Sequence, residues 1–74
     1  MEYIKRIHHL RKENGYNQAT VANILGVAQT TYSDYENGNL RIPVEHILKL
    51  ARFYNVDMNY ICGVSDIKHE FPQD

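Results

Sequence analysis

Asn17-Gln18-Ala19-Thr20-Val21-Ala22-Asn23-Ile24-Leu25-Gly26-Val27-Ala28-Gln29-Thr30-Thr31-Tyr32-Ser33-Asp34-Tyr35-Glu36-Asn37-Gly38 is the stretch on which the fold turns. Asn17 is a good N-cap, and Val21, Ala22 and Leu25 then fall on one helical face before Gly26. A second helix is expected from about Gln29 to Glu36, with Tyr32 and Tyr35 three apart and Asn37-Gly38-Asn39 ending it. Ala22 stands where the two helices would cross, and a small side chain there lets them approach at a steep angle. Gly26 is placed to take the positive φ that reverses the chain without a Cβ clash. Val21, Leu25, Val27, Tyr32 and Tyr35 supply the apolar contacts that would lock the pair together. A generic helical hairpin needs the same hydrophobic spacing; the ordered Gln, Ala, Gly and Val, followed by Glu-Asn-Gly, point to something more specific.

The flanking sequence is helical too. Tyr3, Ile4, Ile7 and Leu10 recur at three and four, and Asn14-Gly15 stops that pattern. Pro43 suits the first position of a fourth helix, whose stripe is Val44, Ile47, Leu48, Ala51 and Tyr54, with Leu50 flanking it. Asn55 is a plausible left-handed terminus. A short fifth helix runs from Asp57, its cap, to Cys62, with Gly63 as its stop. The tail has only Ile67 and Phe71 to bury, and Pro72 blocks a helix near the end. The reading is one all-α domain, a compact five-helix bundle over residues 1–66, with a short tail at 67–74.

Composition narrows the function. Seventy-four residues hold one domain, and the single cysteine, Cys62, makes no internal disulfide, so a reducing, cytoplasmic setting is expected. No apolar run approaches the ~18 residues of a membrane span, and Met1-Glu2-Tyr3-Ile4-Lys5-Arg6 lacks the plan of a signal peptide. Ser33-Asp34 with His8, His9, His46 or His69 suggests a triad only on paper, because Ser33 lies on an exposed helix face without an oxyanion turn. Cys62 and the histidines lack metal-ligand spacing, and adjacent helical residues such as His8 and His9 diverge by about 100°. No enzyme activity, cofactor or metal is expected, and Cys62 reads as a small buried hydrophobe.

Several words of the sequence occur together in one family. Leu10-Arg11-Lys12-Glu13-Asn14-Gly15, Asn17-Gln18-Ala19, Ala22, Leu25-Gly26-Val27, Tyr35-Glu36-Asn37-Gly38, Ile47-Leu48-Lys49-Leu50-Ala51 and Tyr54-Asn55-Val56 stand in order. From Ile4 to Asp66 the chain resembles the lambda-repressor-like helix-turn-helix family, also called the Cro/repressor or XRE family. The resemblance implies a DNA-binding transcriptional regulator; a repressor is expected before an activator, because a bare domain blocks polymerase simply by occupying a promoter. In such domains the second helix of the motif enters the major groove with its N-terminal residues at base edges.

Carried onto this chain, that role falls to Gln29 and Thr30, with Ser33 and Asp34 one turn later. Helical geometry agrees, since residues 30, 33 and 34 point away from a face packed through Tyr32 and Tyr35. Gln pairs with adenine, Thr offers its methyl to thymine, and Asp accepts from cytosine. A plain solvated face remains the alternative. Gln18 matches the family's phosphate-contacting glutamine at a helix N-terminus. Asn17 is a second backbone contact or a cap alone. Thr31, Asn37, Asn39 and Arg41 complete the backbone set, Arg41 being either a phosphate or groove contact or a plain surface arginine. Arg11 and Glu36 match a structural salt bridge between the first helix and the end of the recognition helix.

The chain departs from the family's usual pattern in places. Ala28 replaces the usual Ser or Thr cap. Tyr32 and Tyr35 replace aliphatic residues, so their hydroxyls need partners, a phosphate among the options. Asp34 puts a carboxylate in a groove of phosphates. The net charge is −1, with five basic and four acidic residues over 1–43 and three and five over 44–74. Non-specific DNA affinity is therefore expected to be weak and dimerisation important. A homodimer on half-sites ~34 Å apart is expected. Met58, Tyr60, Ile61, Ile67 and Phe71 supply either its surface or the cap of the monomer's core. The rival reading is a protein-interaction module, an antirepressor or antitoxin-like adaptor. The polarity of the 29–34 face speaks against it.

Overall fold

In the computed structural model, which describes residues 2–73, helices α1 (Glu2–Glu13), α2 (Gln18–Leu25), α3 (Gln29–Asn37), α4 (Val44–Tyr54) and α5 (Met58–Ile61) follow one another. No strand occurs among the described residues. The helix ends lie where short polar residues and glycines put them. Asn17 caps α2 by accepting from the Thr20 amide at 2.8 Å, and Asp57 caps α5 by accepting from the Tyr60 amide at 2.9 Å. Gly26, at φ 74°, closes α2, its N–H reaching the Ala22 and Asn23 carbonyls. The Val27 N–H bonds the Ala22 carbonyl at 3.0 Å, and the chain turns directly into α3. Ala22 is buried at this crossing.

The core is drawn from every helix: Ile7 and Leu10, Val21 and Leu25, Tyr32 and Tyr35, Leu50 and Ala51, Tyr60 and Ile61, with Ile42 and Val56 added from loops. Two expectations for α4 need correction. Pro43 is the N-cap, with extended backbone (φ −61°, ψ 148°), and the helix begins at Val44. The inward stripe is also rotated: Leu50 is 0% exposed whereas Val44 is 64% exposed. A residue in the first turn of α4 projects past the edge of the bundle, so Leu50, nearly two turns further along, fills the contact with its neighbours.

The chain after α5 folds back over the first helix. Arg6 bonds Asp66 at 2.6 Å and lies 4.4 Å from the Tyr60 ring centroid; Lys68 pairs with Glu13. The Asp57 N–H bonds the His69 carbonyl at 2.8 Å, and the Phe71 N–H bonds Asn55 Oδ1 at 3.2 Å. Gly63, at φ 81°, passes so close to α1 that a Cβ there would stand 2.3 Å from Glu2 Cβ. Tyr60 and Ile61 therefore belong to the monomer's own core, and Phe71 packs against it. Of the residues considered for a dimer surface, Ile67 is the one left open, at 62% exposure, and Val64, three positions earlier, is exposed too. Cys62 is half-buried at the end of α5.

Candidate nucleic-acid interface

Helix α3 presents two faces of opposite character. Tyr32 and Tyr35 are buried, while Gln29 and Thr30 are exposed in the first turn and Ser33 and Asp34 half-exposed in the next. Thr31 is half-buried between them. Ala28 makes no side-chain cap, so no side chain of the preceding residue covers the first-turn N–H groups of α3. The Asp34 carbonyl accepts from the Asn39 and Leu40 amides at 3.0 and 3.3 Å, which fixes the loop leaving α3. Asn37 Nδ2 reaches Ser33 Oγ at 3.4 Å. Arg41 is exposed in that loop and has no ion-pair partner among the described residues.

Beneath this face lies a buried ion pair. Arg11 Nε donates to Glu36 Oε2 at 2.7 Å and Nη2 to Oε1 at 3.0 Å, with side chains 7% and 3% exposed. Arg11 Nη1 also donates to the Tyr16 carbonyl at 3.0 Å, so one guanidinium ties α1, the α1–α2 turn and the end of α3 together. Burial works to raise the pKa of Glu36. The Arg11 guanidinium, the neighbouring Tyr32 hydroxyl and His8 outweigh it and hold the carboxyl down at about 2. Two further side chains reach the same carboxylate: Gln18 Nε2 at 3.3 Å and His8 Nδ1 at 2.8 Å. Gln18 and Asn37 thus border one groove with α1, while Asn17 uses its carbonyl oxygen on Thr20 and keeps its amide hydrogens free.

Neither tyrosine is available to a phosphate. Tyr35 bonds His46 Nδ1 through its hydroxyl at 3.1 Å, and Tyr32 is fully enclosed. The Tyr32 and Tyr54 hydroxyls are buried without a hydrogen bond, and burial pushes the pKa of both upward. His8 is the participant that sequence reasoning missed. Its spacing of three from Arg11 places both on one face of α1, and that was the signal available. Among the described residues no group of three or more His, Cys, Asp or Glu side chains is placed to hold a metal ion. No helix among them is long and apolar enough to cross a membrane.

Comparison with known proteins agrees with this geometry. The family model described as helix-turn-helix matches residues 7–61. An uncharacterized HTH-type transcriptional regulator, YobD of Bacillus subtilis (strain 168), is 33% identical over 64 residues, covering 86% of this chain and 57% of that protein. The cryptic phage CTXphi transcriptional repressor RstR of Vibrio cholerae is 43% identical over 64 residues, covering 86% and 58%. The chain thus spans somewhat more than half the length of these relatives. A transcriptional regulator from Listeria innocua superposes with a TM-score of 0.73 at 22% identity, over 97% of this chain and 64% of that one, and so shares the fold. With α2 and α3 crossing at a buried alanine, a left-handed glycine between them and a family match across both, this chain belongs to the helix-turn-helix family of the Cro/repressor (XRE) type.

Proposed function

We propose that the protein is a sequence-specific double-stranded DNA-binding transcriptional regulator, a repressor, that reads the major groove with residues 29–36. The observation that carries this reading is the division of α3. A polar, open face of Gln29, Thr30, Ser33 and Asp34 is held rigid from behind by buried tyrosines and the Arg11–Glu36 pair. Gln29 and Thr30 lead at the base edges, and Ser33 and Asp34 follow. Asn17, Gln18, Thr31, Asn37, Asn39 and Arg41 hold phosphates, mostly through neutral donors. This suits a chain whose net charge is −1. The repressor names of relatives such as RstR support the direction of regulation. We place the protein in the cytoplasm, where its DNA would be.

A single recognition helix contacts few base pairs, so the protein acts on its operator as a homodimer, two copies on a two-fold site. Selection of bound duplexes from a random-sequence pool tests the whole reading. A palindromic consensus with half-sites about one helical turn apart is the expected outcome. No retarded complex at ~50 mM salt, where electrostatic binding is strongest, would sink it.

A further inference from the structure

Glu36 Oε1 lies within hydrogen-bonding distance of three donors: His8 Nδ1 at 2.8 Å, Arg11 Nη2 at 3.0 Å and Gln18 Nε2 at 3.3 Å. A carboxylate oxygen has two lone pairs, so this one is over-subscribed. Arg11 is buried and bonds the second oxygen as well, whereas the His8 side chain is 52% exposed. An ionised carboxylate only accepts, so Nδ1 of His8 carries the hydrogen. The outer ring nitrogen, Nε2, is then a bare lone pair in the neutral ring and becomes a donor only when the ring is protonated.

The surroundings of His8 suit an anion. His8 shares a groove between α1 and the end of α3 with Lys5, His9, Gln18, Asn37 and Glu36. The acid among these, Glu36, is already matched by Arg11. The charged and titratable groups at this groove are Glu36 from α3, with Arg11 bonded to it, and Lys5 and His9 from α1, which stand 3.9 Å from Glu2 and 3.1 Å from Glu13; α2 presents only the uncharged Gln18 amide. Gln18 and Asn37 are the proposed phosphate contacts nearest to it in this groove.

We propose that His8 is a proton-dependent contact to the DNA backbone. Nδ1 donates to Glu36, Nε2–H of the protonated ring donates to a phosphodiester oxygen, and binding takes up about one proton. The inference rests on the DNA-binding reading above and extends the interface from the helix-turn-helix onto α1.

The test uses the full chain and one duplex taken from the random-pool selection, at fixed salt and at about pH 6, 7 and 8. Wild-type affinity is expected to tighten by roughly tenfold or more from high to low pH, the lower end of the scale set by one charge-assisted bond. His8→Gln is expected to bind with a flat pH profile and a salt slope smaller by about one. His8→Lys, with a permanent charge, is expected to bind tightly and flatly, and His69→Gln, outside this groove, to titrate like wild type. Calorimetry of wild type in buffers of different ionisation enthalpy reads the proton directly, without relying on any variant. A His8→Gln protein that titrates like wild type, or wild-type binding without proton uptake, overturns the assignment and leaves the DNA reading standing. Failure of wild type to bind any duplex at any of these pH values overturns both.

Discussion

Removing Arg11 leaves Glu36 as a buried carboxylate without its counter-charge. Arg11→Ala is therefore expected to cost ~3–5 kcal/mol in urea unfolding. The pair also sets an acid limit. The Glu36 carboxyl sits at about 2 in the fold, against an ordinary 4.5, so its contribution is complete above the upper value. It is lost as pH falls from there towards the lower one. Melting temperatures across that window should fall more steeply for wild type than for Glu36→Gln. The Tyr54 hydroxyl has the opposite economy: buried and unbonded, it costs stability. Tyr54→Phe is expected to be neutral or stabilising by up to about 1 kcal/mol. On the recognition face, Gln29→Ala should lose ~1–3 kcal/mol at one base pair and relax specificity there. Arg41→Ala should weaken all duplexes alike and lower the salt slope by about one.

Helix α3 begins without a capping side chain. Ala28 has the extended backbone of an N-cap (φ −67°, ψ 151°) but no oxygen to offer. Ala28→Ser is expected to stabilise the protein by ~1 kcal/mol in thermal melts, because only the missing acceptor is supplied. The helix ends were legible because they rest on local chemistry: Asn17 and Asp57 accept from amides three residues on, and Gly26 and Gly38 take the left-handed turn. The inward face of α4 was less legible. Periodicity allows the stripe to be centred on Val44–Leu48 or on Leu50–Ala51, and only the positions of the neighbouring helices decide between them. Ile42 was invisible for a similar reason. It fills the core from a loop between Arg41 and Pro43, where no periodic pattern marks it.

For the whole molecule, the outward-facing residue types and, through the resemblance, the Arg11–Glu36 pair were legible, but the side chains that join this pair from α1 and α2 were not. Thr30 is open, as spacing implied, and so are Gln29 and Arg41, named through the resemblance, but the convergence of His8, Gln18 and Arg11 on one carboxylate joins three separate helices. Oligomerisation is the property that the monomer's packing constrains most. Tyr60, Ile61 and Phe71 are engaged internally, so Ile67→Asp is the variant expected to separate assembly from folding. Light scattering with and without duplex should show a dimer for wild type on DNA and a monomer for this variant, at an unchanged melting temperature. A wild-type complex containing one copy would remove dimerisation from the account.

The tail over α1 bears on how the chain reaches this state. Arg6–Asp66 and Glu13–Lys68 join residues 60 and 55 apart, whereas Arg11 and Glu36 are 25 apart. Contacts across long separations close late, after the loop entropy has been paid by nearer ones. The α2–α3 pair, contiguous in sequence, is therefore the natural nucleus, and α1 acquires its second flank only when Gly63 and the residues beyond it arrive. Although α1 precedes the other four helices in sequence, its enclosure depends on residues at the far end of the fold. Truncation before Ile61 is therefore expected to leave α2 and α3 paired but α1 more open to protease, which limited proteolysis checks.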